Sequence, residues 1–185
     1  MNLPNKLTMF RVFLIPFFIV FMKLTGIFGP NMRFIALAIF IVASLTDMLD
    51  GKIARKYNLI TDFGKFMDPL ADKLLVCSAM ICLIVPNGCT GQLADWIVII
   101  IIAREFIISG FRLIAADNGL VIAASWWGKV KTVCQMFMII VLIIHLPMFW
   151  FYIIEQILIY AALFMTVVSL IDYLVKNRKV LSSKK

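Results

Sequence analysis

Residues 47–72 read DMLDGKIARKYNLITDFGKFMDPLAD, and four of the carboxylates there, Asp47, Asp50, Asp68 and Asp72, stand on the two arms of a helix, loop, helix unit cut into otherwise apolar sequence. On a helix, residues three and four apart share a face. Asp47, Asp50, Gly51 and Ala54 therefore line one side of the first arm, and Gly64, Asp68 and Asp72 one side of the second. The loop between Arg55 and Gly64 is expected to fold these faces together. Carboxylates gathered ~6 Å apart would repel by roughly 3 kcal/mol per pair at an effective dielectric of ~20. A cation is therefore expected between them, and an oxygen-only donor set points to Mg²⁺ or Mn²⁺.

The rest of the chain is the setting for that cluster. Its 185 residues are 63% hydrophobic with a mean hydropathy of +1.03, which excludes a soluble domain and predicts an integral membrane protein. The length suits one compact unit, so residues 1–185 are expected to form a single membrane domain. Runs of about 20 apolar residues cross ~30 Å of hydrocarbon. Six such runs are present, at roughly 7–28, 31–56, 65–86, 94–116, 128–147 and 150–176, giving an all-α bundle of six transmembrane helices with an interfacial N-terminal segment. Of the eighteen Lys and Arg residues, only Lys23 and Arg33 fall near the far side in this arrangement. The positive-inside rule then puts both termini in the cytoplasm of a multi-pass cell-membrane protein. No nucleic-acid partner is expected for this basic surplus. Cys77, Cys82, Cys89 and Cys134 show no metal-ligand spacing and read as packing residues. No small-residue cleavage site follows the apolar run at Val12–Met22, so the first span is expected to be retained.

Polar groups enter the membrane in few places. Asn5, Thr8 and Arg11 lie three apart, on one stripe of the first span, and Pro4 suits a helix start. Counted from Met32, Asp47 lies ~22 Å along the second span, which puts the cluster at the inner side of the bilayer. The fourth span carries Arg104 and Glu105 near mid-membrane, where charge must face protein, and Glu105 is expected to partner a basic residue on another helix. Trp126 and Trp127 read as an interfacial belt, and His145 as a lone interfacial residue at the outer end of the fifth span. The tail KNRKVLSSKK carries five basic residues that would hold it against anionic lipid at ~1 kcal/mol each.

An ionised Asp at the centre of a spanning helix costs ~2.5–3.5 kcal/mol, so the cluster implies a use. A two-metal phosphotransfer site is one reading. A divalent-cation pathway is another, but transport favours carboxylates spread through the membrane depth, and these lie at one level. Arg55 and Lys56 would repel a travelling cation and suit a phosphate. The third reading is a purely structural set of salt bridges to Lys52, Arg55, Lys65 and Lys73. No Ser, Cys or His nucleophile accompanies the cluster, which favours direct attack by an acceptor.

Asp47, Asp50, Gly51, Ala54, Arg55, Gly64, Asp68 and Asp72 match the pattern DxxDGxxAR, eight residues, GxxxDxxxD, which resembles the signature of the CDP-alcohol phosphatidyltransferases. PNKLTMFR at the start, REFIISGFR around Arg104 to Arg112, and GKVKT at Gly128 to Thr132 are similar to bacterial members that take glycerol 3-phosphate. The resemblance covers roughly residues 2–135. It implies a six-span membrane enzyme, usually a homodimer, that transfers a phosphatidyl group from CDP-diacylglycerol to an alcohol and releases CMP. It also implies that Asp47, Asp50, Asp68 and Asp72 hold two Mg²⁺ or Mn²⁺ ions, with Asp72 also the base. Gly51, Ala54 and Gly64 would leave room for the nucleotide, Arg55 would meet its phosphates, and Asn5, Thr8 and Arg11 would close the nucleotide side. Arg112, Lys129 and Lys131, with the deeper Arg104, are the candidates for an acceptor phosphate, because several donors suit a dianion. Inositol phosphate, serine or phosphatidylglycerol remain open as acceptors within the same family, as does the transporter outside it.

Overall fold

The computed structural model describes residues 2–56, 61–84, 93–117 and 125–177, with the side chains of residues 3, 4, 48–56, 62, 63, 65, 66, 116 and 117 outside the description. Six α-helices and no strand occur among the described residues: α1 (Leu3–Phe28), α2 (Asn31–Lys56), α3 (Asp62–Ile84), α4 (Asp95–Asp117), α5 (Trp126–Ile144) and α6 (Phe149–Lys176). They follow the six apolar runs to within a few residues, and the differences have local causes. Pro4 in the first turn, where no N–H partner is lost, starts α1 earlier. Thr61 starts α3 earlier, its hydroxyl accepting the N–H of Gly64 at 3.0 Å as an N-terminal cap. The fifth helix stops at Ile144 although the apolar run continues, because Pro147 disfavours helical backbone just before it. His145 instead takes the left-handed conformation, φ 34°, and donates its N–H to Val141 O at 3.0 Å.

Among the described residues, three helices are long and apolar enough to cross a membrane by composition: Asn5–Phe28, Trp126–Ile144 and Phe149–Lys176, with mean hydropathies of 2.0, 1.7 and 2.1. The apolar runs of α3 and α4 are interrupted by Asp68, Asp72 and Lys73 and by Arg104, Glu105 and Arg112. Large apolar side chains stand exposed along the outside of every helix, Phe13, Ile35, Ile81, Ile99, Phe137 and Phe164 among them. Such a surface is stable against lipid and would aggregate in water.

The chain divides into two compact units, Met1–Gln92 with Leu142–Ile144, and Leu93–Val141 with His145–Lys185. In the first, Gly29 turns α1 into α2 at φ 92°, a backbone conformation natural to glycine, with its N–H on Thr25 O at 3.2 Å. The buried side of α1 runs Asn5, Thr8, Arg11, Ile15, Phe18, Met22 and Thr25, a continuous stripe at three- and four-residue spacing. Phe18 meets Phe40 of α2, with ring centroids 5.9 Å apart. Ala36 and Ala43 are fully buried on either side of Phe40, and their small size brings the backbones close. On α3, Ala71, Leu75 and Ala79 continue the stripe begun by Gly64. Each stripe is apolar along most of its length, with Thr25 and Arg33 buried near the Gly29 turn, and each is polar at the end away from that turn. The polar ends are Asn5 to Arg11, Asp47, and Gly64 to Asp68.

In the second unit, α6 buries Glu155, Ile159, Ala162, Thr166, Ser169 and Tyr173 on one side. Ile108 and Phe111 of α4 pack on Tyr173, with partly buried Leu170 and Leu174 alongside, and Phe111 meets the Tyr173 ring edge-on at 5.6 Å. His145 is not the lone interfacial residue expected from sequence. Its Nδ1 lies 2.8 Å from Oε1 of Glu155, whose side chain is completely buried, so the turn between α5 and α6 is pinned by a polar pair. Trp126 and Trp127, expected at an interface, are both exposed at the start of α5 and touch edge-on at 5.4 Å.

Candidate active site

The polar end of the α1 stripe meets carboxylates from both neighbouring helices. Arg11, fully buried, places Nη1 2.7 Å from Oδ1 of Asp47, a carboxylate still 39% exposed. One turn earlier, Thr8 donates its hydroxyl to Oδ1 of Asp68 at 2.5 Å. A turn before that, Asn5 Oδ1 accepts from Thr61 at 2.9 Å. The spacing of three on α1 thus becomes three successive contacts, to α2, to α3 and to the cap of α3. Asp47 and Asp68 lie near enough to repel one another electrostatically, as the sequence spacing requires of converging arms. Arg11 supplies positive charge to the pair, and Thr8 supplies a charge-assisted hydrogen bond.

Gly64 sits in the corner of this arrangement. A methyl group there would stand 3.1 Å from Asn5 Oδ1, 3.2 Å from Thr61 Oγ1 and 3.7 Å from Asp68 Oδ2. A hydrogen atom is what lets α3 approach Asn5. Asp72, half-buried, follows Asp68 by one turn on α3. Asp50, Gly51, Ala54 and Arg55 lie on the last turns of α2, and their side chains are outside the described residues. Among the described residues no group of three or more His, Cys, Asp or Glu side chains is gathered to hold a metal. The described donors, Asp47 and Asp68, present carboxylate oxygen only. That chemistry fits a hard divalent cation and offers nothing to a soft one.

The four basic residues expected to meet an acceptor phosphate divide differently from their order in sequence. Glu105 pairs with a basic residue on another helix, as anticipated: its Oε1 accepts from Lys131 of α5, and also from Arg104 Nη1 at 3.0 Å. Arg104 donates a second bond, from Nη2 to Ser169 of α6 at 2.9 Å. Arg104 and Lys131 are both buried and share one carboxylate, so Arg104 is the partner of Lys131 and no outlying fourth member. Lys129, two residues earlier on the same helix, is exposed. Residues two apart point to nearly opposite sides of a helix, which is why Lys131 is buried while Lys129 is exposed. Arg112 is exposed and lies over the Tyr173 ring, 5.7 Å from its centroid.

The sequence reading missed the α6 partners Ser169 and Tyr173, having found only apolar character in the sixth span. The four-residue spacing of Ser169 and Tyr173 was a detectable signal, since it puts both on one helical face. Arg104 Nε is buried without a hydrogen-bond partner among the described residues. An N–H donor left without a partner on a buried guanidinium carries a desolvation cost.

A family model described as CDP-alcohol phosphatidyltransferase matches residues 1–172. A Bacillus subtilis (strain 168) protein named CDP-diacylglycerol--glycerol-3-phosphate 3-phosphatidyltransferase is 42% identical, over 98% of this chain and 98% of its own. Proteins of the same name are 43% identical in Haemophilus influenzae, over 94% of this chain and 91% of theirs, and 40% identical in Escherichia coli (strain K12), over 94% and 93%.

Proposed function

The chain belongs to the CDP-alcohol phosphatidyltransferase family, and on that premise we propose that it transfers the phosphatidyl group of CDP-diacylglycerol to glycerol 3-phosphate, giving phosphatidylglycerol phosphate and CMP. The observation that carries this reading is the convergence of Asp47 and Asp68 with Arg11 and Thr8. It sets anionic oxygen donors beside cationic and hydroxyl donors, which is what binding a metal-complexed diphosphate requires. The choice of acceptor rests on the names of the relatives and on the buried cations Arg104 and Lys131.

Asp47, Asp50, Asp68 and Asp72 are assigned to hold two Mg²⁺ or Mn²⁺ ions. Bound there, such ions supply Lewis acidity and neutralise phosphate charge. Asp72 takes the proton of the acceptor hydroxyl. The hydroxyl oxygen bonds to the phosphatidyl phosphorus, the bond from that phosphorus to the bridging oxygen of the diphosphate breaks, and CMP leaves with that oxygen. Arg55 meets the diphosphate, and Gly51, Ala54 and Gly64 keep the nucleotide side free of bulk. Asn5, Thr8 and Arg11 close that side. Arg104 and Lys131, with Arg112 and Lys129 outside them, receive the phosphate of the acceptor. The protein spans the cell membrane six times with cytoplasmic termini and works as a homodimer in anionic lipid. A lipid donor whose diphosphate lies at the inner interface meets a water-soluble acceptor there while its acyl chains stay in the bilayer.

Purified protein given CDP-diacylglycerol with labelled acyl chains and glycerol 3-phosphate tests the reading. One labelled phosphatidylglycerol phosphate should form for each CMP released. Vesicles that conduct divalent cations, with no CMP released, would establish the transporter in its place.

A further inference from the structure

We infer that Ser169 and Tyr173, one turn apart on α6, are positioning residues that aim the two arginines of α4 at the phosphate of the acceptor. This rests on the reading that Arg104 and Arg112 belong to the acceptor site. Both arginines have long, flexible side chains, and neither helix α4 nor its apolar neighbours fix where a guanidinium points. The structure supplies the missing constraint from α6. Ser169, completely buried, accepts from Arg104 Nη2 at 2.9 Å, while Glu105 accepts from Nη1 at 3.0 Å. Two of the three nitrogens are thereby fixed on two helices, and the plane of the guanidinium is set. The nitrogen left over is the buried Nε, which has no hydrogen-bond partner among the described residues. Ser169 is itself held, its hydroxyl donating to Thr166 O at 3.0 Å, so it can accept from Arg104 and has no second proton to offer an anion.

Tyr173 acts on Arg112 through its ring. The ring is wedged by the edge-on contact with Phe111 and is 2% exposed, whereas Arg112 is exposed and is steadied by lying over the ring face. The phenolic oxygen contributes nothing to this arrangement. It is buried and has no hydrogen-bond partner among the described residues. A tyrosine kept for its hydroxyl would show the opposite. Phenylalanine should therefore serve in its place, and an aliphatic side chain should not.

Steady-state kinetics on the purified full-length protein, with glycerol 3-phosphate and CDP-diacylglycerol each varied, test the inference. Ser169→Ala and Tyr173→Leu should raise KM for glycerol 3-phosphate roughly threefold to tenfold. KM for CDP-diacylglycerol should stay within about twofold and the melting temperature should be little changed. Tyr173→Phe should restore the wild-type KM, which a role for the hydroxyl would not allow. If Arg104→Ala and Arg112→Ala raise KM for glycerol 3-phosphate while Ser169→Ala and Tyr173→Leu leave it unchanged, positioning by α6 is overturned and the acceptor site stands. If the two arginine variants leave it unchanged, the acceptor assignment fails and takes this inference with it. Parallel losses in both KM values and in melting temperature would show Ser169 and Tyr173 to be packing residues only.

Discussion

Replacing Gly64 with alanine separates packing from function at the carboxylate site. The added methyl would meet Asn5 Oδ1 at 3.1 Å and Thr61 Oγ1 at 3.2 Å, so each neighbour must give way by a few tenths of an ångström. Neither moves freely. Thr61 donates to Asn5 and accepts from the N–H of residue 64 itself, and Asn5 is 6% exposed. Overpacking a filled site costs about 1–3 kcal/mol. Alanine in place of glycine in a helix returns about 0.5–1 kcal/mol, so the net loss of stability should be about 2 kcal/mol or less. The displacement falls on Asn5, one turn from Thr8 and its bond to Asp68, and activity should suffer more than stability. We expect kcat/KM for CDP-diacylglycerol to fall about tenfold or more, equivalent to about 1.4 kcal/mol in the transition state, with a melting temperature in detergent within about 8 °C of wild type. Gly110→Ala is the internal control, since a methyl there has nothing within 4 Å. It should melt slightly higher and keep full activity. CMP release and thermal melting on the same preparations decide the matter. A Gly64→Ala enzyme as active as wild type would refute the claim that the Asn5, Thr61 and Asp68 corner is close-packed for function.

Chelation should abolish CMP release and added Mg²⁺ or Mn²⁺ should restore it, while Asp→Asn at 47, 50, 68 or 72 should each lower turnover by orders of magnitude in protein that still inserts; full activity in excess chelator would end the metal assignment. Asp72→Asn should lose transfer yet bind CDP-diacylglycerol in the presence of metal, and equal loss of binding in Asp72→Asn and Asp47→Asn would reject a separate base role. Glu105→Gln leaves Arg104 and Lys131 without their shared counter-charge in a buried setting, a loss of about 3–5 kcal/mol, and should lower the melting temperature by roughly 10 °C; an unchanged melting curve would show that the pair is held by other groups.

How much of this was legible in the sequence depends on the range of the interaction. The helices were legible because their apolar runs are local, and so was the stripe of Asn5, Thr8 and Arg11, whose spacing is a property of one helix. The approach of Asp47 to Asp68 was legible because a short loop joins their helices. Partner identity across long separations was not. Nothing in the periodicity of α4 says that Arg104 meets Ser169, 65 positions away, or that Glu105 chooses Lys131 and leaves Lys129 in the open. His145 and Glu155 are only ten positions apart, but their pairing follows from a left-handed turn at His145, a conformation that is uncommon even for histidine, which is enriched in it. Ser169 and Tyr173 were hidden differently, since two polar groups among many apolar ones hardly alter the hydropathy of a 28-residue helix.

The central claim, phosphatidyl transfer to glycerol 3-phosphate, is tested most directly by CMP release from CDP-diacylglycerol with glycerol 3-phosphate, serine, inositol and inositol phosphate offered in turn to the purified protein. Glycerol 3-phosphate should give the highest kcat/KM by at least about a hundredfold, a discrimination of about 2.7 kcal/mol for a site built around a phosphate dianion. A preference for serine or free inositol would contradict the account, because neither carries the phosphate that Arg104 and Lys131 are assigned to bind.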